Sequence, residues 1–238
     1  MSPDAPPSLN GATALVTGAS GGLGRALVAE LIRRRTRVAV AGRDANALEP
    51  LGADAMWAGD LREPHAPEAV VEFALQTLGS LQIIVNAAGV VAFGPVTELA
   101  PPVAQELLET DALVPMLLAA AALSRLRKGG TFVNLTGVAG EQSIVQMAAY
   151  CGAKAAAASF MRAAAREGRR AGIRVLDARP GHTETGLATR PLAGTAPNLP
   201  DGLTSEHVAR VICDAIATGE RDLPPAAFED PSEAGHDA

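Results

Sequence analysis

Short apolar runs without polar alternation, separated by amphipathic stretches, leave this sequence little freedom in what it can fold into. The runs are TALVTG (13–18), RVAVAG (37–42), IIVNAAG (83–89), GTFVNLTG (130–137) and IRVLDARPG (173–181), with AMWAGD (55–60) fitting the role more weakly. A strand apolar on both sides has both faces buried, as in a parallel sheet covered by helices. The stretches between them carry helical spacing. After Gly24, residues Leu27, Val28, Leu31 and Ile32 share one face, with Arg25, Glu30, Arg33 and Arg34 elsewhere. Similar patterns predict helices over 66–78, 101–126, 147–170 and 205–218. Strand and helix alternating throughout predict a doubly wound α/β sandwich of three layers around a parallel sheet.

No linker or repeat divides the chain, so one domain is expected over 11–222, with flexible tails at 1–10 and 223–238. Aromatic residues make up 3% of the sequence, so the core must be built from small aliphatic side chains. A formal charge of −6 argues against a nucleic-acid partner, because phosphate binders present a basic face. The cluster Arg33, Arg34, Arg35 and Arg37 reads as a helix end. Cys151 and Cys213 have neither metal nor CxxC spacing, which suits a reducing cytosol. His65, His207 and His236 lack a matching ligand set, so no metal is expected. No secretory signal opens the sequence, and the run from Ala112 to Leu123 is too short to span a bilayer. A cytoplasmic protein without membrane contact is the expectation.

LVTGASGGLGRAL follows the first apolar run and opens the first helix. Glycines in a strand-to-helix turn let backbone N–H groups converge on a phosphate at the helix N-terminus. The spacing Thr17-Gly18-x-x-x-Gly22-x-Gly24 resembles the short-chain dehydrogenase/reductase family, as do VNAAG (85–89), YCGAK (150–154) and RPGHTET (179–185), in that order. The resemblance covers roughly residues 11 to 220. It implies a Rossmann-type fold, a nicotinamide cofactor and an oxidoreductase that commonly forms homodimers or homotetramers. By resemblance, Gly18, Ser20, Gly22, Leu23 and Gly24 would cradle the cofactor. Asp60 and Leu61 would flank its adenine, and Asn86, Ala87 and Gly89 would line the nucleotide near the ribose. Pro180, Gly181, Thr183 and Thr185 would face the nicotinamide. Asp60 as a simple turn or N-cap residue is the competing reading. Where an acidic residue would select an unphosphorylated ribose, the chain has Gly42 and then Arg43, whose fork suits a 2′-phosphate. NADP(H) is therefore expected ahead of NAD(H), unless Arg43 merely pairs with Asp44.

Tyr150 and Lys154, four residues apart, fall one turn apart on a helix face. A neighbouring ammonium favours the phenolate, so the tyrosine can pass a proton to or from a substrate oxygen. The resemblance adds that Lys154 bonds the nicotinamide ribose. Two positions depart from the family pattern. The usual serine, thirteen residues before the tyrosine, is Gly137; Thr136 or Ser143 would have to replace its hydroxyl. The usual asparagine of the middle helix is Asp111, which either faces water or pairs with Lys154 and raises the tyrosine's pKa. His182 stands at the expected mouth of the pocket, either against substrate or in solvent. Residues 186–205 read as a mobile lid, whose Leu187, Leu192 and Leu199 would join Val91, Phe93 and Met147 around an apolar substrate. The expected function is hydride transfer between NADP(H) and a carbonyl or secondary alcohol of an apolar small molecule. The rival readings are a nucleotide-binding sensor or partner subunit with little turnover, and altered chemistry such as dehydration or isomerisation with Asp111 as acid/base.

Overall fold

The computed structural model describes residues 8–229. Strands β1 (Thr13–Thr17), β2 (Arg37–Gly42), β3 (Ala55–Ala58), β4 (Ile83–Asn86), β5 (Thr131–Leu135) and β6 (Arg174–Ala178) form one sheet in the order β3-β2-β1-β4-β5-β6. Every pairing is parallel. The helices are α1 (Gly22–Arg33), α2 (Ala45–Leu48), α3 (Ala66–Leu78), α4 (Pro101–Leu108), α5 (Val114–Arg125), α6 (Ala148–Ala171) and α7 (Ser205–Thr218). Leu27 and Leu31 of α1 pack with Val208 and Ile212 of α7 on one face of the sheet. Val70 of α3, Leu118 of α5 and Met161 of α6 cover Leu15, Ile84 and Phe132 on the other. The doubly wound, three-layer expectation holds.

The helix expected over 101–126 is interrupted. A π turn, Glu109–Leu113, joins α4 to α5 and carries Asp111 into the protein. Such single-turn bulges shift which side chain faces inward without ending the helix. On its outer side Leu108, Leu113 and Leu117 stay exposed. Pro101–Arg125 is long and apolar enough to cross a membrane by composition, yet half of its most apolar stretch is buried against the domain.

The expected tail boundaries need correction. Leu9 sits in the core, and the Thr36 hydroxyl donates to its carbonyl at 2.8 Å. At the other end Leu223 bridges to Ala178 of β6, and Phe228 is fully buried. The domain therefore runs on past 222, because these two apolar side chains complete the α1/α7 layer. The rest of both expected tails, residues 1–7 and 230–238, lies outside the described residues.

The sheet register has one consequence for the site. Thr17, Asn86, Asn134 and Asp177 are direct partners at the C-terminal ends of β1, β4, β5 and β6. Their side chains form a buried polar row. Thr17 Oγ1 donates to Asn86 Oδ1 at 2.7 Å, Asn86 Nδ2 to Asn134 Oδ1 at 2.9 Å, and Asn134 Nδ2 to Thr136 Oγ1 at 3.0 Å. Thr136 in turn donates to Asp177. A fully paired polar row fixes side-chain positions in a way an apolar core does not. It lies under the crevice where the strand order reverses between β1 and β4, the place where such sheets bind ligands.

Candidate functional site

A cleft of about 600 Å³ opens above these strand ends. Its walls include Gly18, Ser20, Gly22, Leu23 and Gly24 of the first turn, Ala87 and Gly89 after β4, and Pro180, Gly181, Thr183 and Thr185 after β6. Gly18 has φ +66°, and a Cβ there would lie 2.4 Å from the Ala88 amide nitrogen. Only glycine fits that turn. At Gly22 a Cβ would stand 2.4 Å from the Thr185 carbonyl, so the post-β6 loop rests directly on the phosphate turn.

At one end of the cleft lie Gly42, Arg43, Asp60 and Leu61. A Cβ on Gly42 would reach within 3.3 Å of Ser20 Oγ, so the two face the same space. Asp44 caps α2 through the Asn46 amide at 2.9 Å rather than pairing with Arg43. Among the described residues Arg43 makes no ion pair and is exposed. Asn86 departs from expectation. It is buried and fully engaged in the polar row, with a further contact from Ala88 N at 3.3 Å, so it props the floor instead of lining the cleft.

The half-buried Tyr150 and the buried Lys154 lie one turn apart on α6, and both face the cleft. Lys154 Nζ is 3.0 Å from Asp111 Oδ1, donates to the Leu135 carbonyl at 3.2 Å, and sits 5.7 Å from the Tyr150 ring centre. An ammonium has three donors, so one N–H is left for a ligand. Asp111 is 1% exposed and lies off the cleft wall, behind Lys154. That rules against the water-facing reading and against Asp111 as a substrate-facing acid/base. Burial works against the Lys154 charge, but Asp111, Tyr150 and Asp177 together outweigh it and raise that ammonium well above its usual value. Burial raises the Asp111 carboxyl, with Lys154 and the Val90 amide pulling it back. For Tyr150, burial raises the phenol above its ordinary value, Lys154 pulls it down, and Asp111 pushes it up again.

Of the two expected substitutes for the missing serine, Thr136 is at the cleft wall, but its hydroxyl is held in the polar row between Asn134 and Asp177 and the residue is 1% exposed. Ser143 is exposed and lies off the cleft wall. Gly137 itself adopts φ +74°, with its amide and that of Thr136 both donating to the Ala178 carbonyl. With ψ 173° this is an extended positive-φ conformation that is essentially confined to glycine and costs a side-chain-bearing residue roughly 1–3 kcal/mol. Gly137→Ser is therefore expected to lower Tm by roughly 2–12 °C, using the scaling for a domain of this size. Differential scanning calorimetry checks it.

The other end of the cleft is apolar. Val91, Phe93, Met147, Leu187, Leu192 and Leu199 all line it, as expected. The 186–205 segment is tied at several points. Leu192 N donates to Val91 O at 2.8 Å, Phe93 N to Ala193 O at 2.9 Å, and Leu203 N to His182 O at 2.8 Å. His182 also lines the cleft, with Nε2 3.1 Å from Glu184 Oε1. Among the wall residues that escaped notice in the sequence are Arg62 and Glu106. The adjacent opposite charges in Asp60-Leu61-Arg62 were the available signal.

Comparison with known proteins agrees with this fold. A family model described as short chain dehydrogenase matches residues 12–193. The 2-(S)-hydroxypropyl-CoM dehydrogenase 3 of Xanthobacter autotrophicus is 33% identical over 196 residues, covering 77% of each chain. The dehydrogenase/reductase SDR family member 7B of Mus musculus is 25% identical over 236 residues, covering 90% of this chain and 73% of its own. Among solved structures, a short chain dehydrogenase from Burkholderia cenocepacia in complex with NADP superposes with a TM-score of 0.81 at 24% identity. That match covers 92% of this chain and 98% of the other. BdcA in complex with NADPH gives 0.80 at 23% identity, covering 92% and 94%.

Proposed function

This chain belongs to the short-chain dehydrogenase family, and from that premise we propose that it is an NADP(H)-dependent oxidoreductase of carbonyls or secondary alcohols on apolar small molecules. The observation that carries the reading is the placing of Tyr150 and Lys154 in one cleft with the glycine turn. The cleft suits a dinucleotide: a side chain at Gly42 would crowd the space it shares with Ser20, and Lys154 keeps one N–H for a ribose hydroxyl. Gly18, Ser20, Gly22 and Arg43 would hold the phosphates, Ala87 and Gly89 the ribose, and Pro180, Gly181, Thr183 and Thr185 the nicotinamide. When bound, the cofactor supplies the hydride.

The chain's own residues handle the proton. Tyr150 Oη gives its proton to the carbonyl oxygen as the carbon is reduced, and takes one back in the reverse direction. Lys154 stabilises the phenolate left behind. The apolar end excludes water from that exchange and receives the hydrocarbon part of the substrate. A substrate oxygen held by one donor instead of two favours modest turnover, because a missing oxyanion donor typically lowers rates by roughly two to three orders of magnitude. The sensor reading draws on the same observation. We place the protein in the cytoplasm, and the exposed Leu108, Leu113 and Leu117 stripe supports a homo-oligomer packed through the middle helices.

Cofactor choice tests the phosphate role of Arg43. Titration by intrinsic and nicotinamide fluorescence is expected to show NADPH binding tighter than NADH, with Arg43→Ala removing roughly tenfold of that difference. Equal affinities in the unaltered protein overturn the NADP(H) assignment.

A further inference from the structure

At the Arg43 end of the cleft, one side chain crosses from wall to wall. Arg62 Nε stands 3.1 Å from each oxygen of Asp60, Nη2 is 2.7 Å from Asp60 Oδ2, and the Arg62 amide donates to Asp60 Oδ1 at 3.0 Å. On the far side Arg62 Nη1 is 3.1 Å from Glu106 Oε1, which comes from α4. All three residues line the cleft, each with a little under a third of its side chain exposed.

A carboxylate offers about four lone-pair directions, and Asp60 takes four contacts from three N–H groups of Arg62 alone, the Nε–H being shared between its two oxygens. Both of its oxygens are thus already taken by Arg62, and the exocyclic amino group of an adenine would have to compete for them. The guanidinium, by contrast, is pinned at both ends: its Nε–Nη2 edge on Asp60 and its Nη1 on Glu106. Its broad feature still free to meet a flat ring is its π face. Guanidinium planes stack on aromatic systems, and a plane already held in position loses little freedom in doing so.

We propose that Arg62, clasped between Asp60 and Glu106, is an adenine-binding residue that receives the base by stacking, while Asp60 serves to hold Arg62. The inference rests on the cofactor reading above and adds a base-recognition mode to it. Its consequence is tolerance at the base edge: the ring is required, but its amino group is not read by Asp60.

The test uses the full chain and three probes: NADPH, reduced nicotinamide hypoxanthine dinucleotide phosphate, and reduced nicotinamide mononucleotide. In the unaltered protein the first two are expected to bind within about threefold of each other, which requires no variant to fold. Arg62→Ala is expected to weaken both by roughly three- to thirtyfold while leaving the mononucleotide, which has no base at this end, unchanged. Arg62→Lys, cationic but not planar, is expected to resemble Arg62→Ala. The proposal is overturned if the hypoxanthine analogue binds more than tenfold weaker than NADPH. It also fails if Arg62→Ala leaves both dinucleotides unaffected, or weakens the mononucleotide equally. Failure of all three probes to bind the unaltered protein overturns the cofactor reading itself, and this inference with it.

Discussion

Replacing Tyr150 by phenylalanine is expected to lower carbonyl reduction by roughly two to four orders of magnitude while NADPH binds as before. Tyr150 is the only tyrosine in the chain. Among the described residues it is the one titratable hydroxyl on the cleft wall beside a cation; the Thr136 hydroxyl, also at the wall, is given to Asp177, and Ser143 lies outside. Of the other groups on the cleft wall, His182 is engaged with Glu184. Burial and Asp111 both hold the phenol above its ordinary value, so it remains protonated throughout the neutral range. Proton donation to a carbonyl is then available at neutral pH, whereas taking a proton from an alcohol requires the phenolate. Reduction is accordingly expected to stay level with rising pH until the raised phenol value is passed, and alcohol oxidation to climb toward alkaline pH. Initial rates in both directions across pH check this. A reductive rate that falls through neutrality contradicts the assignment.

The second large effect concerns stability. Asp111→Ala leaves the Lys154 ammonium buried with the Leu135 carbonyl as its remaining close protein partner. Breaking a buried pair in this way is typically destabilising by about 3–5 kcal/mol, which for a domain of this size is roughly 6–20 °C in Tm. The sign with pH follows from Lys154. Its folded-state value is raised above the usual lysine range by Asp111, so the pair's contribution is fully present below the unfolded lysine value. It is lost only as pH rises through the folded one. The Tm difference between the two proteins should therefore hold through neutral pH and narrow at strongly alkaline pH. Asp111→Asn is the informative companion. It keeps the volume and removes the charge that pushes Tyr150 upward, so alcohol oxidation should begin its climb at lower pH. Thermal melts paired with pH–rate profiles separate the two roles, because a merely structural Asp111 would leave the profile in place.

The legible parts of the fold were those governed by local periodicity. Helices α3 and α7 fall on 66–78 and 205–218 as read from the sequence, since each carries a long apolar stripe and a clear end signal, such as Thr204 capping α7. The π turn at Glu109–Leu113 left no such trace, because one extra residue in a helical turn shifts the pattern without breaking it. Leu223 and Phe228 sit among prolines and acids in LPPAAFED, where composition suggests a tail and only tertiary contact shows a core.

In the site, motif order named the glycine turn, Tyr150, Lys154 and the post-β6 loop, all of which line the cleft, but could not show what each side chain touches. Asn86 belongs to the right motif and yet props the floor, because the register aligns it with Thr17 and Asn134. Thr136 stood among the sequence readings as a stand-in for the missing serine. What captures its hydroxyl is Asp177, a partner from the neighbouring strand that no local pattern announces. The Asp111–Lys154 pair stood among the sequence readings as one of two alternatives, and the buried geometry selects it.

The most direct test is isotope transfer from deuterated cofactor. NADPH carrying deuterium at the reactive nicotinamide carbon is incubated with the unaltered protein and a panel of apolar ketones and aldehydes, and the products are examined by mass spectrometry and NMR. Deuterium at the carbinol carbon of an alcohol product, absent with Tyr150→Phe, is the predicted result. Tight NADPH binding with no deuterated alcohol from any carbonyl contradicts the account and favours the sensor reading.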